Sequence, residues 1–127
     1  MTSGVFEVTI DAPIDRVWPW IADLGKHAGW SPKPYTVEWI SGEPNAVGSR
    51  YRSVGWVPGD KDHVNEGEVL ESRAPERLAL RAQDKDGTYA NTFTLEPQGQ
   101  GTKVTFRLDF EKLNGMAAFA VPVVFPL

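Results

Sequence analysis

The residues best suited to acid–base or metal chemistry are the two histidines, His27 and His63. They are far apart in the sequence, and neither has a metal-ligating partner two or four residues away, so a metal site is not predicted. Glu66, Glu68 and Glu71 follow His63 and offer a general base beside it. The same three acids also fit a solvated strand face, which is the favoured interpretation.

Two acidic segments resemble parts of calcium-binding loops. Asp60-Lys-Asp62 and Asp84-Lys-Asp86-Gly87 lack the remaining ligand positions, so both are interpreted as turns. The chain has no cysteine, which excludes a thiol nucleophile, a disulfide framework and a thiolate metal site. It also has no nucleophile elbow, phosphate-binding loop or dinucleotide fingerprint. The sequence therefore assigns no catalytic residue, no metal and no cofactor.

The composition describes one ordinary globular domain over residues 1–127. Of 127 residues, 41% are hydrophobic and 24% are charged, which is enough for a core without cross-links. The net charge of -4 provides no basic field for nucleic acid or an anionic membrane. No signal peptide is found, and the long uncharged stretch at 115–127 is too short to span a bilayer. A cytoplasmic protein with no integral membrane segment is expected.

The hydrophobic pattern predicts a strand, a helical region and six further strands. Residues 5–11 alternate between apolar and polar, and Ile14, Val17, Trp18 and Ile21 then recur at helical spacing. Residues 26–34 form a loop or a short second helix. Period-two patterns separated by turn residues predict strands at about 35–42, 49–57, 63–73, 76–84, 88–97 and 102–112. Long strands with short turns favour an antiparallel sheet with helices on one face, an α+β fold.

Alternation along these strands identifies candidate pocket residues. Tyr89, Asn91 and Phe93 share a face of one strand, and Phe106 lies on the apolar face of the next. Tyr89 and Asn91 are either polar groups placed among apolar walls or residues near a strand end that point to water. Tyr51 and Ser53 are further candidates, on a strand that is ambiguous because its other face carries Val54 and Trp56 beside two arginines. The remaining candidates are His63, which shares its face with Asn65, Gly67 and Val69, and Trp30, which either lines a cavity mouth or packs in the core.

Six short motifs occur along the chain in a fixed order. They are Val8-Thr-Ile-Asp-Ala-Pro-Ile-Asp-Arg-Val-Trp-Pro-Trp-Ile-Ala-Asp23, Trp30-Ser-Pro32, Gly67-Glu-Val-Leu-Glu71, Ala74-Pro-Glu-Arg-Leu78, Thr92-Phe-Thr-Leu-Glu-Pro97 and Gly101-Thr-Lys-Val-Thr105. Together they resemble the polyketide cyclase/dehydrase group of the START-like (SRPBCC) superfamily, over about residues 5–114. The resemblance is more specific for fold than for function, because the motifs are mostly caps, turns and core positions.

The resemblance implies a helix-grip fold. In this fold a curved seven-stranded antiparallel sheet, with two short helices after its first strand, wraps around a long C-terminal helix. The chain stops at Leu127, where that helix should be starting, so the concave face would expose a large apolar patch. A shortened chain is the favoured explanation. The alternatives are that residues 117–127 cover the face in another way, or that a second subunit covers it in a homodimer.

The resemblance also implies a function, because relatives take lipids, sterols, polyketides or hormones in a hydrophobic cavity. Binding of a small hydrophobic ligand without turnover is the first hypothesis. The second is a polyketide cyclase or dehydratase, which needs an acid–base group and hydrogen-bond donors for an enolate. Tyr89, Asn91, His63 and Arg52 could serve those roles. A protein-interaction module of the chaperone-activator type is the third hypothesis.

Overall fold

The computed structural model describes residues 2–30, 35–57 and 60–113. The C-terminal segment, where the resemblance implies a helix, lies outside these residues. Within them, no helix is long and apolar enough to cross a membrane. The elements are β1 (Thr2–Ile10), α1 (Ile14–Ala22), a 3₁₀ turn (Leu24–Lys26), α2 (His27–Trp30), β2 (Tyr35–Ser41), β3 (Arg50–Val57), β4 (Asp60–Arg73), β5 (Arg77–Asp84), β6 (Gly87–Gln98) and β7 (Gly101–Leu113).

The strands form one antiparallel sheet in the order β1-β7-β6-β5-β4-β3-β2. This confirms the predicted α+β architecture, with seven strands and two short helices after the first strand. β1 and β4 begin three residues earlier than predicted, and the other strand limits agree within one residue. The predicted turn at 60–62 is wrong, because these residues extend β4, where Asp60 pairs with Val57 of β3.

One face of the sheet is apolar and is called the inner face below. It carries the buried residues Leu80, Phe93 and Val104. Val17 and Ile21 lie on one side of α1 and pack into the same hydrophobic cluster. The helix contacts β6 and β7, so the helical stripe read from the sequence covers one end of the inner face. The rest of that face is left for α2 and for a cavity.

The opposite, outer face carries exposed ion pairs between neighbouring strands. The acids that follow His63 in the sequence all take part, in the pairs Arg50–Glu68, Arg52–Glu66 and Arg77–Glu71. Strand alternation places Glu66 and Glu68 on the face opposite His63, and the register shift between Val69 and Glu71 turns Glu71 to that face as well, where it pairs with Ala79 of β5. This confirms the solvated-face interpretation and excludes the three acids as a general base for His63. The prediction that Arg52 could assist catalysis in a pocket is wrong for the same reason, because its guanidinium lies 3.1 Å from Glu66 on the outer face.

Candidate functional site

A cavity of about 230 Å³ lies between α2 and the inner face of the sheet. From α2, β2, β3 and β4 it is lined by His27, Trp30, Tyr35, Tyr51, Ser53 and Asn65. From β5, β6 and β7 it is lined by Leu80, Ala82, Asn91, Phe93 and Phe106. Its volume lies below the range of about 300–1,000 Å³ that is usual for drug-sized ligands, so it suits a compact molecule.

Six of the eight pocket residues predicted from the sequence are brought together in this lining. They are Trp30, Tyr51, Ser53, Asn91, Phe93 and Phe106. Tyr89 and His63 are not among the lining residues that the structure describes. The strand residues among them lie on the inner face, where Asn91, Phe93 and Phe106 point the same way as their buried neighbours on β6 and β7.

Tyr51 forms part of the cavity floor and is 3% exposed. Its ring lies across the backbone of its cross-strand partner Gly67, where an added methyl group would overlap the phenol. The ring also meets Trp39 edge-on, with ring centroids 5.7 Å apart. Burial raises the pKa of Tyr51, so the phenol is neutral at physiological pH. Because Gly67 has no side chain, it leaves the room that the Tyr51 ring occupies.

His27 is a cavity residue that the sequence analysis missed. It is 7% exposed, and its Nε2 donates to the carbonyl oxygen of Ile21 at 2.8 Å. Burial lowers the pKa of His27, opposed by that hydrogen bond and by the charge of Asp23. The imidazole is therefore neutral near pH 7, with hydrogen on Nε2 and a free electron pair on Nδ1. The only sequence signal was its position three residues before Trp30 on a helix.

Trp30 lies at the rim of the cavity and is 47% exposed. Its Nε1 donates to the carbonyl oxygen of Trp20 at 3.0 Å, which ties α2 to α1. The indole ring stands 4.8 Å from the imidazole of His27, measured between ring centroids. Trp30 therefore occupies the mouth position that the sequence analysis offered as one of two interpretations.

The position of α2 over the sheet depends on Asn45, in the connection between β2 and β3. Its Oδ1 accepts from the backbone N–H of Leu24 at 2.9 Å, and its Nδ2 donates to Asp23 Oδ1 at 3.2 Å. Asn45 has a φ of 67°, in the left-handed region that asparagine tolerates better than most residues. These two bonds hold the start of the 3₁₀ turn, and thereby His27 behind it, against the β2–β3 end of the sheet.

The remaining polar wall of the cavity comes from Tyr35, Ser53 and Asn65. Burial raises the pKa of Tyr35, opposed by a hydrogen bond with Ser53, so this phenol is also neutral. Asn65 pairs with Ser53 across the strands. Its Oδ1 is shielded from solvent and has no hydrogen-bond partner within the described part of the chain. The sequence did contain a signal for Asn65, since it shares its face with His63.

His63 and Tyr89 lie on the inner face beyond the cavity and meet at Asp84, where β5 ends. His63 Nε2 donates to Asp84 Oδ2 at 2.7 Å, and the Tyr89 hydroxyl donates to Asp84 Oδ1 at 2.9 Å. Burial, this hydrogen bond and the nearby acidic charges raise the pKa of Tyr89. Asp84 therefore holds the two predicted pocket residues at the end of the β5–β6 hairpin.

The same cluster contains the best arrangement for a metal among the described residues. One ligand atom from each of His63, Asp84 and Asp86 lies within 4.8 Å of the others. Asp84 Oδ1, however, also accepts from the backbone N–H groups of Asp86 and Gly87, at 2.8 and 3.0 Å. Since protein donors occupy both carboxylate oxygens, the cluster is explained as a hairpin turn, as the sequence analysis interpreted Asp84-Lys-Asp86-Gly87.

Comparison with known proteins places this geometry among related folds. The family described as polyketide cyclase/dehydrase and lipid transport matches residues 1–125. No curated protein matches the chain. Ginseng major latex-like protein 151 from Panax ginseng superimposes with a TM-score of 0.76 at 15% identity, covering 91% of this chain and 82% of that one.

Two further structures show the same likeness. Protein CV1439 from Chromobacterium violaceum gives a TM-score of 0.70 at 20% identity, covering 87% of this chain and 80% of that one. DynU16, described as a protein of the dynemicin biosynthetic locus, gives 0.66 at 18% identity, covering 98% of this chain and 42% of that one. At these identities the likeness shows a common fold.

Proposed function

The chain belongs to the polyketide cyclase/dehydrase and lipid transport family, and we propose that it binds a small hydrophobic ligand in the cavity between the sheet and its helices. The observation that supports this function best is the cavity itself, a space of about 230 Å³ on the inner face. Phe93, Phe106 and Leu80 give it an apolar wall, and a few polar side chains are set among them. That combination is typical of small-molecule sites.

The proposal gives each predicted pocket residue a role. Tyr51, Phe93 and Phe106 contact the apolar body of the ligand. Ser53 and Asn91 offer hydrogen bonds, and Trp30 covers the mouth. His63 and Tyr89 do not contact the ligand in this proposal. Their hydrogen bonds to Asp84 hold the β5–β6 hairpin in position beside the cavity.

Filling the cavity from β5 tests the proposal. Ala82 is 6% exposed and lines the cavity, so Ala82→Phe places a ring in the space meant for the ligand. Ala79 lies on the same strand with its side chain on the outer face, which makes Ala79→Phe the matched control. Naphthalene, a compact neutral probe, is titrated into each protein by isothermal calorimetry.

The proposal predicts that Ala82→Phe weakens naphthalene binding at least about tenfold, a change of about 1.4 kcal/mol. The Ala79→Phe protein should bind like the wild type. Equal affinity in all three proteins would place the probe elsewhere and overturn the proposed site. Circular dichroism of each variant confirms that the sheet is intact.

The second candidate function is a cyclase or dehydratase that uses the same cavity. One observation favours it: the neutral imidazole of His27 in the wall is a base with a free electron pair. The family description and the biosynthetic-locus neighbour agree with this candidate. The ligand is released from the purified protein and incubated with fresh protein. If the protein only binds this ligand, its mass should stay unchanged. Loss of one water, abolished in His27→Gln, would support the enzyme.

A homodimer and a cytoplasmic location complete the proposal. Phe6 and Val8 lie on the inner face of the edge strand β1 and are 49% and 56% exposed, so a second chain would gain apolar contact there. Sedimentation velocity of the wild type and of Phe6→Ser should then show a dimer that the substitution weakens. A monomer at every concentration would contradict this part of the proposal.

A further inference from the structure

The described residues of the cavity wall carry no formal charge near pH 7. Among the lining residues that the structure describes, none is aspartate, glutamate, lysine or arginine. The titratable ones are His27, Tyr35 and Tyr51, and burial shifts the pKa of each in the direction that favours its neutral form. A charged ligand would therefore lose its hydration on entry and meet no ion of opposite sign among these lining residues. Burying an unpaired charge is strongly unfavourable.

Among the shielded side-chain atoms of the described wall, the oxygen of Asn65 lacks a hydrogen-bond partner. This Oδ1 is shielded from solvent and has no hydrogen-bond partner within the described residues. Leaving a buried acceptor unsatisfied costs about 1–3 kcal/mol. Asn65 belongs to the cavity lining, so its amide is within reach of a bound molecule, and the torsion about its Cβ–Cγ bond has a broad energy profile that lets the amide adjust to one. A ligand that donates a hydrogen bond there would recover the lost interaction.

We infer that the cavity selects a compact, uncharged ligand with a hydroxyl group on an apolar body, and that this hydroxyl bonds to the amide of Asn65. The inference rests on the proposed function and adds to it the chemical class of the ligand, a neutral phenol or alcohol. A hydroxyl suits an amide because it can both donate to the oxygen and accept from the nitrogen. The same skeleton with a carboxylate in place of the hydroxyl is excluded.

Three probes of one skeleton test this inference: naphthalene, 2-naphthol and 2-naphthoate. Each is titrated into the wild-type protein near pH 7 by isothermal calorimetry. We expect 2-naphthol to bind at least about tenfold more tightly than naphthalene, and 2-naphthoate to bind at least about tenfold more weakly than 2-naphthol. These comparisons use only the wild type, so they do not depend on the folding of any variant.

Substitution of the anchoring residue provides the second test. Asn65→Leu keeps a side chain of similar size and removes the amide. The ratio of the 2-naphthol affinity to the naphthalene affinity, both measured in this variant, should fall to about twofold or less. Gln83→Leu, at an exposed position of β5, is the matched control and should leave the preference unchanged.

The outcomes separate this inference from the function on which it rests. If naphthalene binds but 2-naphthoate binds as tightly as 2-naphthol, the cavity function stands and the selection for neutral ligands is overturned. If Asn65→Leu keeps the full preference for 2-naphthol, the assignment of Asn65 is overturned. If none of the three probes binds, the proposed function fails, and the inference fails with it.

Discussion

The imidazole of His27 shows how the surroundings of one side chain set its chemistry. It is enclosed by Trp30 and Phe93, with ring centroids 4.8 and 5.9 Å away, and its Nε2 donates to a helix carbonyl. Nothing in that enclosure compensates fully for the loss of water, and so its pKa is lowered from the ordinary value of 6.5. The same burial that shapes the cavity wall keeps this residue neutral.

The lowered pKa of His27 predicts a loss of stability in weak acid. Below about pH 6.5 the unfolded chain takes up a proton at this residue more readily than the folded chain does. The free energy of unfolding therefore decreases as the pH is lowered. Urea denaturation at about pH 7.5 and about pH 5.0 measures the change. The wild type should lose more stability than His27→Gln over this interval. Parallel losses in the two proteins would show that His27 does not contribute.

Gly67 supports the cavity floor by leaving room for Tyr51. We expect Gly67→Ala to lower the free energy of unfolding by about 1–3 kcal/mol, because the added methyl group displaces the buried phenol. Gly29→Ala is the matched control, since a methyl there would meet Trp20 Cζ3 at an ordinary 3.5 Å. The control should change stability by less than about 1 kcal/mol. If the Gly67→Ala protein were as stable as the wild type, the close packing of the Tyr51 ring over Gly67 would be contradicted.

At the residue scale, sequence reasoning succeeded where alternation alone decides the outcome. Asn91 and Phe93 belong to a strand whose two faces differ clearly in polarity, so their inward direction could be predicted. The strand that carries Ser53 has two mixed faces, so its inward direction was ambiguous. The position of His27 could not be predicted, because its place in the cavity depends on how a four-residue helix sits on the sheet. No periodicity is readable over so short an element.

At the scale of elements, the position of α2 depends on the loop between β2 and β3. The helix is short, and its place over the cavity follows from contacts at its two ends: Asn45 holds the preceding 3₁₀ turn, and the indole of Trp30 bonds to α1. Isolated helices of this length are not stable in water, so these tertiary contacts are required. The loop thus takes part in forming the cavity without lining it.

Removing the Asn45 side chain tests this arrangement. Asn45→Gly keeps access to the positive φ but loses both hydrogen bonds, and should cost about 1–3 kcal/mol of stability. It should also weaken naphthalene binding, because α2 would no longer be held over the sheet. Val47→Ala, at a position 61% exposed in the same loop, should stay within about 0.5 kcal/mol. Unchanged binding and stability in Asn45→Gly would exclude this role.

The register of the strands explains why the sequence predicts the face on which Tyr89 and His63 lie but not their distance from the cavity. Both point inward, yet they lie at the hairpin end, where Asp84 binds them. An irregularity between Thr88 and Tyr89 shifts the pairing of β6 with β7 at that end. Alternation gives the side of a sheet but not the distance along it. The end of a cavity is therefore not readable from a single strand.

At the scale of the whole molecule, the order of the elements could be predicted from the sequence, and the enclosed space could not. Short turns between long strands lead directly to a meander, and β1 then pairs with β7 at the edge. The cavity arises from side chains of six strands and one short helix that are distant in sequence. Its volume and polarity depend on all of those contacts together, which no local pattern contains.

Native mass spectrometry of gently purified protein shows whether a small hydrophobic molecule occupies this fold. We expect a discrete added mass that disappears on denaturation and belongs to a compact neutral compound. The added mass should be missing from Ala82→Phe, whose new ring fills the cavity, and present in Ala79→Phe. A wild-type spectrum showing only the bare chain, or an equal added mass in Ala82→Phe, would contradict this expectation.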